Sequence, residues 1–283
     1  MSDLEIGEVA SDYVEELFWE GEQGHTAIAT IAAIGWALPH FSRHGSGELP
    51  QTKQAVQGFI KLSPARTRLP LPPSVMSLIA FHMVALGFRT AATMMLVGVS
   101  AYLRPGELVN LRGSQLVPPS KGGMTSSWGL SLHPQEMQKP SKTGQFNDTV
   151  LLDNPHHRFL QGPLARIKKA TNDSDFLMGL TVTEFTAAFH RACQRANVQV
   201  LSPVPYHMRH TGASTDLVSK TRGVEEVKRR GRWQSDKSMN RYLKGGRLGE
   251  QFQRLSKATQ QNCLNCHSRI GEILDGRSVQ LRQ

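Results

Sequence analysis

From Ser74 to Leu103 the chain reads SVMSLIAFHMVALGFRTAATMMLVGVSAYL, apolar on almost every helical face. A stretch of that kind has to be surrounded, either by lipid or by the rest of a large domain. His82 and Arg89 decide between the two, because they leave no uninterrupted run of the ~18 apolar residues that a membrane span needs. The expectation is a pair of buried core helices, one capped by Ser74 and running to about Leu86, the other from Thr90 to Tyr102, with no membrane partner. Just before them, SPARTRLPLPPS places prolines at 64, 70, 72 and 73, which cannot continue a helix and favour an extended connector.

Upstream of this connector, Asp12 to Glu20, His25 to Leu38 and Thr52 to Lys61 read as helices. Downstream, RPGELVNLRGSQLV predicts a short helix followed by a strand. SSWGLSLHP and DTVLLD are strand-like stretches between turns rich in Gly, Pro, Ser and Lys. Helical patterning returns at about 157–171, 181–196, 209–220, 223–231 and 235–243, and no internal repeat is found. The fold class that results is mainly α with a small antiparallel β-sheet (α+β). Its expected parts are a helical domain at 1–62, a linker at 63–73, a larger domain at 74–258 and a polar tail at 259–283.

Charge is unevenly spread over these parts. Residues 1–62 hold nine acids and three bases, whereas 63–283 hold 14 acids and 30 bases, 13 of the bases falling in 200–257. A basic field gathered around one stretch points to a polyanion, double-stranded DNA above all. The acidic start lacks the basic-then-apolar order of a secretory signal, and three cysteines suit a reducing compartment. The expected location is the nucleus in a eukaryote and the cytoplasm, with the nucleoid, otherwise. CLNCH, carrying Cys263, Cys266 and His267, fits the pattern of c-type haem attachment. In a short polar tail with no export signal ahead of it, an incidental or adventitious metal-binding pair is the reading preferred.

Three motifs follow one another along the larger domain. In AYLRPGELVNLR, Arg104 precedes Glu107 by one helical turn, with Leu108 next. In YHMRHTGAST, Tyr206, His207, Arg209 and His210 crowd together and run into Thr211. In GRWQSDKSMNRY, Trp233 stands nine residues before Tyr242. Each alone is modest: a helix start with an ion pair, a polar helix start, a core Trp with a surface Tyr. Their order and spacing carry the inference. Together they resemble the signature boxes of the tyrosine recombinases, the phage and transposon integrase family, over about residues 70–250. The helical segment and Pro-rich connector match that family's core-binding domain and hinge in position.

The resemblance implies site-specific DNA cleavage and rejoining through a covalent 3′-phosphotyrosyl intermediate, as in recombination or integration by a mobile element. It implies no cofactor and self-association as a tetramer on DNA. Arg104 and Arg209 become the clamp on the non-bridging phosphate oxygens, a task suited to planar guanidinium forks. Tyr242 becomes the nucleophile and Trp233 completes the pocket, with Glu107 and His210 in support. A hairpin lysine is the acid for the leaving 5′ oxygen; QKPSKTGQFNDTVLL supplies Lys139 and Lys142, and Lys142 is favoured because KTG leads into an alternating strand.

Two features depart from the family pattern. Tyr206 occupies the place usually held by His or Lys, and it can exchange hydrogen bonds but cannot carry positive charge near neutrality. On a helix, a three-residue step of about 300° puts Tyr206 near the face of Arg209, while the two-residue step turns His207 away, to pack or to face solvent. The acidic first domain is the second departure, since a domain that clamps DNA is normally basic; a truncated domain and a protein-contacting one are the two readings. A catalytically inactive DNA-binding protein on the same fold is the rival to the enzyme.

Overall fold

A computed structural model describes residues 1–64, 68–120, 125–138, 148–234, 236 and 245–277. The chain divides into two compact units, Met1–Thr67 and Arg68–Gln283, so that the boundary falls inside the expected linker at 63–73. Thirteen α-helices and a three-stranded antiparallel sheet are present among the described residues, and none of those helices is long and apolar enough to cross a membrane.

The first unit is three helices, α1 (Asp3–Trp19), α2 (Gly24–Ala37) and α3 (Pro50–Leu62). The first begins earlier than its sequence pattern suggested because Ser2 and Glu5 cap it reciprocally: Ser2 Oγ accepts from the Glu5 N–H at 3.3 Å and Glu5 Oε2 from the Ser2 N–H at 2.6 Å. Val14, Leu17, Ala27, Val56 and Phe59 form its core. Trp19 and Trp36 remain largely exposed.

The second unit is built on the apolar pair α4 (Pro73–Ala85) and α5 (Arg89–Ala101). The cap expected at Ser74 is not formed. Pro73 takes the first helical position, where its fixed φ suits the helix and its missing N–H costs nothing, and Ser74 is buried one place inside. After the short helix α6 (Pro105–Val109) come β1 (Leu116–Val117), β2 (Gly129–Leu132) and β3 (Asp148–Leu151), in the order β1-β2-β3. Leu116 pairs with Leu130 and Leu130 with Val150, three side chains that the sheet turns into the core. Helices α7 (Gln161–Ala170), α8 (Val182–Arg195), α9 (His207–Val218) and α10 (Val224–Arg230) follow. The expected helix at 235–243 lies, but for Asp236, outside the described residues.

The polar tail expected from residue 259 is a correction. Residues beyond Gln253 form α12 (Lys257–Ser268) and α13 (Ile270–Leu274), after α11 (Gly245–Gln253). Cys263, Cys266, Ile270, Ile273 and Leu274 are buried in the same core as α4 and α5. The two cysteines lie on one face of α12 and the three aliphatic residues on the short α13, a pattern that polar neighbours masked in the overall composition. The His267 ring Nδ1 shares a hydrogen bond of 2.9 Å with Ser77 Oγ of α4. Burial pushes both thiols up to about 12, so they stay protonated core groups. Among the described residues no cluster of three His, Cys, Asp or Glu is placed to hold a metal ion.

If α13 belongs to the core, Ile273→Ala lowers stability by about 3 kcal/mol, while Leu264→Ala on the exposed side of α12 changes it by less than about 0.5 kcal/mol. Urea unfolding of the two variants checks this, and equal small losses would return the segment to a tail.

Candidate functional site

The site begins where α5 ends. Tyr102 takes a left-handed conformation, φ 53°, and turns the chain so that Arg104 stands in extended backbone just ahead of Pro105. Glu107, in the first turn of α6, reaches back to it. Glu107 Oε2 accepts from the Arg104 main-chain N–H at 2.8 Å, and Oε1 from Arg104 Nη1 at 2.5 Å. A second cation comes from 125 residues away: Arg232 Nη2 donates to Glu107 Oε2 at 2.7 Å. Side-chain exposures of 22% for Arg104, 8% for Glu107 and 4% for Arg232 show that only Arg104 keeps appreciable access to solvent. Burial by itself drives the Glu107 carboxyl up, but Arg232 and Arg104 outweigh it and hold it below its ordinary value. The carboxylate stays ionised and is shared between two guanidinium groups.

The turn after α10 delivers the other half. Gly231, Arg232 and Trp233 donate backbone N–H groups to Val227, Arg229 and Lys228 carbonyls at 2.8, 3.0 and 3.1 Å, the paired bonds of a Schellman motif. Such motifs usually put glycine at the left-handed position. Here that position, φ 56°, is Arg232. Gly231 serves a different end, since a Cβ on it would lie 2.0 Å from the Trp233 ring. Trp233 lies over Arg209, with 4.4 Å between the guanidinium carbon and the ring centroid. Arg209 is completely buried and donates through Nη1 to the Tyr102 carbonyl at 2.7 Å and through Nη2 to the Gly231 carbonyl.

A further buried network flanks this centre. The Tyr102 hydroxyl donates to Asp216 Oδ2 at 2.5 Å, Asn154 Nδ2 to Asp216 Oδ1 at 2.9 Å and Arg222 Nε to Asp216 Oδ2 at 3.1 Å. Burial and the Asp216 carboxylate push the Tyr102 phenol far above its ordinary value, so it serves as a fixed donor. Arg222 also pairs with Asp153 and Glu226. Arg230 donates to the carbonyls of Ser100 and Leu151. Between β3 and α10, Asp153, Arg222, Glu226 and Arg230 line a cleft of about 360 Å³, with Arg229 and Arg232 on its wall.

Of the residues expected from sequence, Arg104, Glu107, Arg209 and Trp233 are therefore gathered in one neighbourhood. Arg209 differs from the expected open clamp, because it is enclosed beneath Trp233. Tyr206 immediately precedes α9 in near-helical backbone; its ring lies 5.5 Å from that of His210, and the Arg68 guanidinium stands 5.5 Å from its centroid. The Tyr206 ring thus lies by His210 and Arg68 and its carbonyl accepts from the Arg209 N–H at 3.2 Å, while the Arg209 guanidinium donates to the Tyr102 and Gly231 carbonyls under the Trp233 ring. His207 is buried, with Nδ1 3.0 Å from both the N–H and the carbonyl of Val204, which makes it a clasp on the start of α9. Lys139, Lys142 and Tyr242 lie outside the described residues.

Sequence reading missed Arg232, Asp216, Arg222 and Arg230. Arg232 stands inside the GRW motif beside Trp233, but nothing local marks its bond to Glu107. In comparisons with known proteins, no family model and no curated protein matches the chain.

Burial pulls His207 down to about 4, against an ordinary 6.5. The unfolded chain therefore takes up a proton that the folded chain refuses, so the stability is full above pH 6.5 and is lost as pH falls toward 4. Replacing it by His207→Gln should shrink the stability lost between pH 7 and pH 4.5 by on the order of 2 kcal/mol. Urea midpoints at the two pH values measure this; an unchanged loss in the variant would show that His207 is not held neutral.

Proposed function

We propose that this chain cleaves and rejoins DNA strands through a covalent link to Tyr242, on a tyrosine recombinase type of catalytic fold. The observation that carries the reading is the convergence of motifs far apart in sequence. Arg104 and Glu107 are tied to the GRW turn through Arg232, and that turn is tied to Arg209 through Trp233 and the Gly231 carbonyl. The basic balance of residues 63–283, with 30 bases against 14 acids, supplies the long-range attraction to DNA.

In the reaction, the Tyr242 oxygen attacks phosphorus as the phenol gives up its proton to water. The bond from phosphorus to the 5′ oxygen breaks, and that oxygen receives a proton, with Lys142 the favoured donor. Rejoining runs the same exchange backwards with a new 5′ hydroxyl, so the bond energy is conserved and no nucleotide is consumed. Arg104, kept partly exposed and aimed by Glu107, stabilises charge on a non-bridging oxygen as it develops. For Arg209 to share that clamp, Trp233 must lift from its guanidinium when DNA binds. That enclosure, together with Tyr206 at a position normally His or Lys, favours the second reading, a protein of the same fold that binds duplex DNA without cutting it.

Trapping separates them. On nicked suicide duplexes, with a metal chelator present, the enzyme reading expects a covalent adduct that Tyr242→Phe abolishes while leaving affinity for duplex unchanged. An adduct surviving in the Phe variant would mean a different nucleophile, and none in the wild type would favour the binding protein. Both readings expect affinity to fall by at least about 100-fold between 50 mM and 200 mM salt, as several phosphates release counterions. A flat salt dependence would count against DNA as the partner.

A further inference from the structure

Arg232 stands in a conformation that its type does not favour. At the left-handed position of a Schellman turn, glycine is free of the Cβ penalty and arginine is not. An unfavourable backbone held by its surroundings is a reason to ask what the side chain does. Its guanidinium is almost wholly buried. Nη2 donates to Glu107 Oε2 at 2.7 Å and Nη1 to the Arg230 carbonyl at 3.3 Å, while Nε has no hydrogen-bond partner among the described residues. A buried arginine serving only to staple two segments together would be expected to satisfy every donor. This one also lines the cleft between β3 and α10, so it stands between that cleft and the carboxylate that aims Arg104.

From this geometry we infer that Arg232 is a positioning residue of the phosphate clamp: it fixes the Glu107 carboxylate, and the carboxylate in turn fixes the Arg104 guanidinium. The inference rests on the phosphate-clamp role given to Arg104 above. Glu107 spends Oε1 on the Arg104 guanidinium and Oε2 on the Arg104 N–H and Arg232. Without Arg232 the carboxylate keeps partners from one side only and can rotate, carrying Arg104 with it. Displacement of about 1 Å at a catalytic group is enough to cost on the order of 100-fold in rate. Arg232 acts through Glu107 and touches no reacting atom.

The test uses the full chain and a duplex recovered from a random-sequence library by covalent capture on the wild type, made with either a phosphodiester or a neutral methylphosphonate at the scissile position. Arg232→Gln should slow adduct formation about 100-fold on the phosphodiester and less than about tenfold on the methylphosphonate, where the oxygen charge that Arg104 meets is gone. Arg232→Lys should recover part of the phosphodiester rate. Equal losses on both substrates would mean a merely structural role and overturn the inference. A second measurement needs no cleavage: affinity for a mixed-sequence duplex in Arg104→Gln, Arg232→Gln and the double variant. The double variant should bind within about twofold of the weaker single one, because both changes remove one clamp; multiplying losses would overturn the inference. A wild type that binds duplex but forms no adduct would sink the strand-transfer reading alone, and the binding series would still decide Arg232. A wild type that binds no duplex would overturn both.

Discussion

The close approach of α5 and α9 is the constraint on which the site depends. Gly212 of α9 lies so near the end of α5 that a Cβ on it would fall 2.0 Å from the Val99 carbonyl and 2.7 Å from the Tyr102 ring. Only a residue without a side chain lets the two backbones meet there. That contact brings Arg209, one turn before Gly212, to the Tyr102 carbonyl, and brings Asp216, one turn after it, to the Tyr102 hydroxyl. A single tyrosine at the end of α5 is thus gripped at its main chain by one residue of α9 and at its side chain by another. The direction in which the chain leaves α5, and so the place of Arg104, follows from that grip.

Two buried carboxylates then organise the cations around this frame. Glu107 holds Arg104 and Arg232, and Asp216 holds Arg222 with help from Tyr102 and Asn154. Removing one partner from a buried pair is strongly destabilising, by about 3–5 kcal/mol, because the other charge is left without compensation. The pairs therefore fix geometry more than they add net stability. A cluster of arginines built this way is preorganised, which is what the proposed strand-transfer reading asks of a phosphate clamp.

The sequence made legible those features whose cause is local. The apolar pair α4 and α5, the strand alternation and the one-turn spacing of Arg104 and Glu107 are set by neighbours a few residues away, and they stand in the structure as expected. Arg232 was hidden for the opposite reason: its partner is 125 residues distant, and a left-handed arginine goes against local preference. Gly231 stands at the end of α10, yet its absent side chain makes room for Trp233 while the positive φ falls on the next residue. The C-terminal helices were hidden by their own average. Polar residues dominate 257–268, yet Cys263 and Cys266 share a face with Thr259, and burial depends on the face.

The GRW turn shows how much a helix end can accomplish once its hydrogen bonds are closed. With the carbonyls of Val227, Lys228 and Arg229 satisfied by the turn itself, the next carbonyls and side chains are released for work elsewhere. Gly231 gives its carbonyl to Arg209, Arg232 sends its guanidinium to Glu107, and Trp233 covers Arg209. Three consecutive residues therefore contact both arginine-bearing segments, through a carbonyl, a charge and a ring. Those contacts differ in target as well as in kind: the ring and the carbonyl hold Arg209, while the charged pair, buried and so little screened by salt, holds Glu107. The turn joins the two halves of the site, and the arginines on either side of it keep their relative placement as long as α10 ends where it does.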